Sequence, residues 1–248
     1  MRVIARRPKA LAERETTYCP GCPHGIAHRL IAEAMDELDI TEKAIGVCPV
    51  GCAVFAYRFF NCDFISAAHG RAPAVATGIK NAREESVVFT YQGDGDLAAI
   101  GTAEIVHSAN RGENITVFFI NNAIYGMTGG QMAPTTLEGM KTSTSPYGRK
   151  VETMGYPIKV CELLNTLEAP YFIQRASLLT PPSIVKAKLA VKKALKYNQQ
   201  GRGFTLVELI STCSTNWGKT PVEAMAWAQK NMLPVFKIAT FRDKGVQS

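Results

Sequence analysis

A doubly wound α/β fold with a mostly parallel sheet is what this sequence predicts, and three observations carry the prediction. Short apolar, β-branched runs recur, at residues 86–91, 115–120 and 205–210 among others. Between them lie stretches with apolar residues at helical spacing. The connections are short, as strands joined by helices require in a parallel sheet. The 248 residues suit one such domain, expected to span 1–248.

The first fifteen residues carry Arg2, Arg6, Arg7, Lys9 and Arg14 with few large apolar groups. They read as a basic arm, to about residue 17, that clips onto a partner. Glu13, Glu15 and the lack of Ser argue against a transit peptide. Cys19 to Pro23 is a turn-rich loop, and Leu30, Ile31, Ala34, Met35 and Leu38 predict a helix over 24–38. Strands are expected at 44–47 and 64–67, and a small-residue helix at 72–82. The buried strand at 86–91 is punctuated by Gly93 and Gly95. A helix at 97–110 and a second buried strand at 115–120 follow. Residues 122–150 are rich in Gly, Thr, Ser and Pro, and a loop that long is usually functional or an interface. A helix at 158–167, a strand at 171–175, a basic helix at 182–197, a strand at 205–210 and a helix at 221–231 complete the alternation.

Composition excludes several classes. With 46% hydrophobic and 20% charged residues, the whole chain is neither disordered nor a coiled coil. No apolar run reaches the roughly 18 residues of a membrane helix, and no apolar secretory segment follows Met1. A cytoplasmic location is expected. Seven cysteines, an odd number, point to metal or redox chemistry rather than a disulfide framework. The net charge of +7 favours an acidic partner: nucleic acid, a phosphate-bearing cofactor or an acidic protein.

Gly93-Asp94-Gly95-Asp96 directly follows one predicted strand, and Asn121-Asn122 the next. Parallel strands end on the same sheet edge, where ligands bind. The Asp94 carboxylate and the Asn122 amide oxygen can meet there at one hard cation. Mg²⁺ prefers such oxygens and completes its octahedron with phosphates. Gly93 and Gly95 let backbone N–H groups approach a diphosphate beside a helix N-terminus. For either motif alone, a tight turn or a loop start is the plain alternative. Together, at this spacing, they resemble the thiamine-diphosphate signature. The resemblance implies that Asp94, Asn122 and the carbonyl of Ile124 hold Mg²⁺.

Cys19-Pro20-Gly21-Cys22 opens a helix, and this spacing serves a metal, a redox disulfide or a cluster. Further cysteines are Cys48, Cys52, Cys62, Cys161 and Cys213. In chain order stand Tyr18-Cys19-Pro20-Gly21-Cys22, Gly51-Cys52, His69-Gly70-Arg71-Ala72, Gly93-Asp94-Gly95-Asp96, Tyr125-Gly126-Met127-Thr128-Gly129-Gly130-Gln131 and Cys213. This set, from residue 18 to about 220, resembles the thiamine-diphosphate-binding β subunit of the 2-oxoacid:ferredoxin oxidoreductases.

The resemblance implies a 4Fe–4S cluster on Cys19, Cys22, Cys52 and Cys213, with Cys48 a rival to Cys52. It places Gly51, Cys52, His69, Gly93, Gly95, Asp96, Gly126 and Met127 at the cofactor, with His69 as the catalytic candidate. Residues 125–131 are expected to wrap the diphosphate. The 2-oxoglutarate-type members carry Lys where Gly129 stands. An apolar Met127 suits a pyruvate-to-branched-chain side chain, 2-oxoisovalerate among them. Cys62 and Cys161 read as small buried hydrophobes. His24 either orients the Cys-x-x-Cys loop or caps the helix, and His28 and His107 are packed or solvated. Lys186, Lys188, Lys192, Lys193 and Lys196 make a basic face, either solvated or docking an acidic ferredoxin-like partner.

The reaction implied is the CoA-dependent oxidative decarboxylation of a 2-oxoacid to acyl-CoA and CO₂, with reduction of ferredoxin. The half that binds the aminopyrimidine is not found in this sequence. A partner α chain and a ferredoxin-like chain are therefore expected, with no nucleic acid and no membrane. Two alternatives remain: half of a non-redox thiamine-diphosphate decarboxylase, and a basic Cys₄-metal protein that binds nucleic acid.

Overall fold

One seven-stranded sheet organises residues 6–246, the part of the chain that the computed structural model describes. Its strands are β1 (Ala44–Cys48), β2 (Asp63–Ser66), β3 (Val87–Gly93), β4 (Thr116–Asn121), β5 (Phe172–Ser177), β6 (Thr205–Ile210) and β7 (Ala239–Asp243). They lie in the order β2-β1-β3-β4-β6-β5-β7. All neighbours are parallel except β7, which runs antiparallel to β5. The apolar runs of β4 and β6 are buried along their whole length, as strands covered on both faces must be.

Helices cover both faces. α1 (His24–Leu38) and α6 (Pro181–Gln199) pack together on one side, over Phe89, Tyr91, Phe118 and Val207. α2 (Ala72–Ala82), α3 (Thr102–Arg111) and α5 (Val160–Asn165) cover Val88, Val117, Phe119 and Leu206 on the other. Alternate residues of each strand thus feed opposite cores. Two short helices, α4 (Val151–Met154) and α7 (Ser214–Trp217), and α8 (Pro221–Asn231) complete the chain. Thr180 and Thr220 start α6 and α8 with reciprocal side-chain caps to Ser183 and Glu223.

Four differences from expectation have physical causes. The helix expected over 97–110 is split: Gly95–Ile100 forms a wide π-type turn before α3. The break sits where two backbones touch, since a Cβ on Gly101 would lie 2.6 Å from the Gly70 carbonyl oxygen. β7 was not expected, because this short edge strand is only half-buried and carries no alternation. The basic face of α6 is largely engaged within the chain: Lys188 pairs with Glu33 and Glu37, Lys192 with Glu37, and Lys193 with Asp243. The described part of the basic arm clips onto its own chain. Ala10 is fully buried, and the N–H groups of Lys9 and Ala10 donate to the Asp36 carboxylate at 2.6 and 2.9 Å. Arg2 lies outside the described residues.

Arg149 gives the long loop a fixed shape. Its buried guanidinium donates to the carbonyls of Pro134, Thr136, Met154, Gly155 and Tyr156. Arg149→Ala strands these acceptors, each costing about 1–3 kcal/mol where water cannot replace the donor. Urea unfolding should therefore show a loss of more than about 3 kcal/mol. A loss below about 1 kcal/mol would refute the clamp.

Asp243 ties β7 to α6. Burial pushes its carboxyl up, but bonds from Lys193 and Tyr197 outweigh burial and hold it below the ordinary value. A depressed pKa means stability that is complete above the ordinary aspartate range and lost as pH falls through the lowered value. Acid unfolding followed by circular dichroism should show a shallower acid limb in Asp243→Asn than in the parent chain.

Candidate functional site

Parallel strands deliver their carboxyl ends to one edge, and the chemistry-bearing residues follow those ends in turn. Gly51 and Cys52 follow β1, His69 follows β2, Asp94 follows β3, Asn122 follows β4 and Cys213 follows β6. The chain order reverses between β1 and β3, which is where open α/β sheets bind ligands. A cleft opens there, walled by Gly51, Cys52, His69, Asp94, Gly126 and Met127 among others.

One side of the cleft is an oxygen corner. Asp94 is 3% exposed. Its carboxylate accepts from the N–H groups of Gly95 (2.9 Å) and Ile124 (3.1 Å) and from the Thr135 hydroxyl (2.7 Å). Burial pushes this carboxyl up to about 6 in spite of those donors. A buried acid in this state is short of positive charge. The Asn122 amide oxygen accepts from the same Ile124 N–H at 3.3 Å, which brings both expected side-chain oxygens to one place. The donor set is hard oxygen, so the residues fit Mg²⁺.

Gly95 shapes the floor. A Cβ there would sit 2.2 Å from the ring of Tyr125, whose hydroxyl donates to the Gly95 carbonyl at 3.1 Å. Gly93 has open space where a Cβ would be.

The other side is a sulfur corner. Burial first, then the nearby Cys52, Cys213 and Cys19, push the Cys22 thiol up to about 12. Burial, Cys213 and Cys19 push Cys52 up to about 11. Cys213 is also raised, chiefly by burial. Cys52 and Cys213 both face Gly126. Among the described residues, no three His, Cys, Asp or Glu side chains form a group able to hold a single metal ion. Thiols are soft donors of the kind that an iron–sulfur cluster takes.

Local turns assemble this corner. Gly21 takes φ +74° against Pro221, and the Ser214 hydroxyl donates to the Pro20 carbonyl at 3.2 Å. These contacts bind the first cysteine loop to the last.

The two corners meet at Gly126. A Cβ there would lie 3.3 Å from Cys52 Sγ, 3.7 Å from Cys213 Sγ and 3.8 Å from the Asn122 amide nitrogen. Asn216, which sequence reasoning missed, donates to the Gly126 carbonyl at 2.6 Å and to Cys213 Sγ at 3.3 Å. Its only sequence signal is its place three residues after Cys213.

The remaining residues sort clearly. His69 faces the cleft, its Nδ1 2.5 Å from Asp96. Asp96 also accepts from the Gly70 N–H and the Gln92 amide, and it lines the cleft beside His69. Met127 is 42% exposed at the mouth.

His24 is buried, stacks on Tyr18 with centroids 4.6 Å apart and lies 2.6 Å from the Tyr91 hydroxyl. Its side chain makes no helix cap, and burial lowers its pKa to about 4, so it stays neutral. Tyr18 in turn donates to the Cys52 carbonyl at 3.2 Å. Cys48 packs in the core with its Sγ toward the Ile65 carbonyl. Cys62 is half-buried and raised to about 12 by burial and Asp63. Cys161 is no mere small hydrophobe: its Sγ donates to the buried Glu208 carboxylate at 3.0 Å. His28 is buried and His107 exposed.

Residues 45–209 match the thiamine pyrophosphate enzyme family, specifically its C-terminal TPP-binding domain. The chain belongs to this family. Over 99% of its length it is 50% identical to the ketoisovalerate oxidoreductase subunit VorA of Methanothermobacter thermautotrophicus, covering 51% of that protein. Over 89% of its length it is 36% identical to the 2-oxoglutarate synthase subunit KorB of Methanocaldococcus jannaschii, covering 79% of that chain.

Among solved structures it resembles the 2-oxoglutarate:ferredoxin oxidoreductase of Magnetococcus marinus, described with 2-oxoglutarate, coenzyme A and succinyl-CoA bound. The TM-score is 0.78 at 27% identity, over 99% of this chain and 87% of that one. The chain spans about half the length of the ketoisovalerate relatives it matches. Its relatives are subunits of 2-oxoacid oxidoreductases, and the recognised motifs are those of this branch of the thiamine pyrophosphate enzymes.

In this TPP-binding domain the Gly95–Tyr125 contact leaves no room for a side chain. Gly95→Ala should weaken thiamine diphosphate binding at least tenfold in calorimetry, while overpacking costs about 1–3 kcal/mol of stability. Unchanged affinity would show that the floor of the cleft is not a cofactor surface.

Proposed function

We propose that this chain, as one domain, is the thiamine-diphosphate- and 4Fe–4S-binding subunit of a cytoplasmic, hetero-oligomeric 2-oxoacid:ferredoxin oxidoreductase. The observation that carries the reading is the wedge at Gly126, where the oxygen corner and the sulfur corner come within contact of one backbone position. A cofactor held by Asp94 and Asn122 would lie beside an electron acceptor held by Cys19, Cys22, Cys52 and Cys213. A non-redox decarboxylase needs only the first corner, and a nucleic-acid-binding metal protein needs only the second.

When bound, thiamine diphosphate supplies the carbanion chemistry that removes CO₂ from a 2-oxoacid. The chain's own residues bind and orient. Asp94, Asn122 and the Ile124 carbonyl would hold Mg²⁺ on the diphosphate, with Gly93 and Gly95 admitting it to the backbone. His69, fixed by Asp96, stands at the cleft as an acid–base group. The thiols, raised as they are by burial, would release their protons to solvent on binding iron, which would couple cluster assembly to pH.

The 50% identity to a ketoisovalerate relative, against 36% to 2-oxoglutarate relatives, favours a branched-chain 2-oxoacid. An exposed Met127 and the absence of a Lys at Gly129 agree. CoA would take the acyl group and ferredoxin the electrons. An α chain and a ferredoxin-like chain would complete the enzyme.

The complex purified without oxygen should be brown, with about four irons and one thiamine attributable to this chain. Asp94→Ala should lose the thiamine and keep the iron, whereas Cys213→Ala should lose iron and keep thiamine binding. Zinc without iron or thiamine would sink the electron-transfer reading, and thiamine without iron would leave the decarboxylase half.

A further inference from the structure

We propose that Glu208 is a positioning residue for the oxygen corner, acting through Asn121; this rests on the reading of Asp94, Asn122 and Ile124 as the cation's holders. Glu208 is fully buried on β6, and the cation reading leaves it without a role. The register puts Phe119 opposite Glu208 and Asn121 opposite Ile210. Asn121 and Glu208 are therefore diagonal neighbours on one face of the sheet. The Asn121 amide nitrogen donates to Glu208 Oε1 at 2.8 Å, and its oxygen accepts from the Ala123 N–H at 3.2 Å. With its donor end fixed on the carboxylate, the amide turns its acceptor toward the chain that leaves the strand.

That orientation matters because Ala123 takes φ +59°, a left-handed conformation that residues with a Cβ seldom adopt. Such backbone persists only where its surroundings over-determine it. Asn121 holds the Ala123 N–H, and the Thr136 hydroxyl holds its carbonyl at 2.6 Å. The chain so reversed brings the Asn122 oxygen and the Ile124 N–H to Asp94.

Glu208 is itself fixed from three sides. Arg175, directly opposite on β5, donates from Nε at 2.8 Å, and Cys161 donates from Sγ at 3.0 Å. The other Arg175 nitrogens are held by both Glu162 oxygens and the Lys237 carbonyl. A buried charge network is costly beside an apolar core and is weak evidence for stability. Its neighbours Phe119, Ile173 and Leu206 are apolar, so packing alone does not call for it. What the network delivers is the fixed direction of Asn121.

The test measures thiamine diphosphate binding by calorimetry across a Mg²⁺ titration, on the full chain in its purified complex, with thermal unfolding alongside. Asn121→Ala leaves the Arg175–Glu208 pair intact and should fold. It should need at least tenfold more Mg²⁺ for half-maximal binding. Glu208→Gln should raise the requirement in the same direction, and the double variant should exceed the worse single by no more than twofold.

If Asn121→Ala stays within twofold of wild type, whatever its melting temperature, Glu208 is structural only and the proposal falls. Multiplying effects in the double variant would also overturn it. Should Glu208→Gln not fold, the Mg²⁺ requirement of Asn121→Ala decides alone. Asp94→Ala separates the two readings. If wild type needs no Mg²⁺, or Asp94→Ala binds as wild type does, the oxygen corner itself is misread. If Asp94→Ala abolishes binding while Asn121→Ala is silent, only the present inference fails.

Discussion

A carboxylate removed from water at the end of β3 is the constraint on which this site depends. Asp94 cannot be both buried and charged without compensation. Three donors converge on it, and they come from three places: its own following residue, the turn after β4 and the long loop. The parallel sheet brings the first two together by ending adjacent strands on one edge. The third needs Thr135 delivered from 41 positions away. Arg149 supplies that delivery, because its guanidinium fixes the carbonyls flanking Thr135. Even so the carboxyl stays raised, and positive charge is what the geometry still asks for.

Much of this was legible in the sequence. Helices over 24–38, 72–82 and 221–231 and the strand over 205–210 stand where their periodicity predicts. Asp94 and Asn122 were legible because each follows an uninterrupted apolar strand, so their meeting is a matter of topology. The choice of Cys52 over Cys48 was not settled by spacing, because four residues of turn can carry either inward. In the structure Cys48 ends β1 with its side chain in the core, and Cys52 follows the left-handed Gly51 at φ +103°. Asn216, Thr135 and Arg149 left no signal because their roles are contacts between loops, and loops carry no period. Cys161 was misjudged for a related reason. Its partner Glu208 lies 47 residues on, inside a strand that otherwise reads as apolar.

The two corners also set limits on each other. Gly126 separates Cys52 and Cys213 from Asn122 with no side chain of its own. A Cβ there would press on Cys52 Sγ at 3.3 Å while only touching Cys213 Sγ and the Asn122 amide. The buried thiols and the buried Asp94 oppose one another's ionisation, since Asp94 raises both Cys52 and Cys213.

The cleft is open where its neighbours are apolar. Val50 and Met127, 44% and 42% exposed, both line it. Water at such a mouth would weaken every electrostatic contact within. A catalytic pocket of this chemistry works by excluding it. The wall that does so is not supplied by the described residues of this chain. The chain also spans only about half of its ketoisovalerate relatives. The rigidity built into β3, β4 and β6 holds the described face of the cleft in one fixed shape.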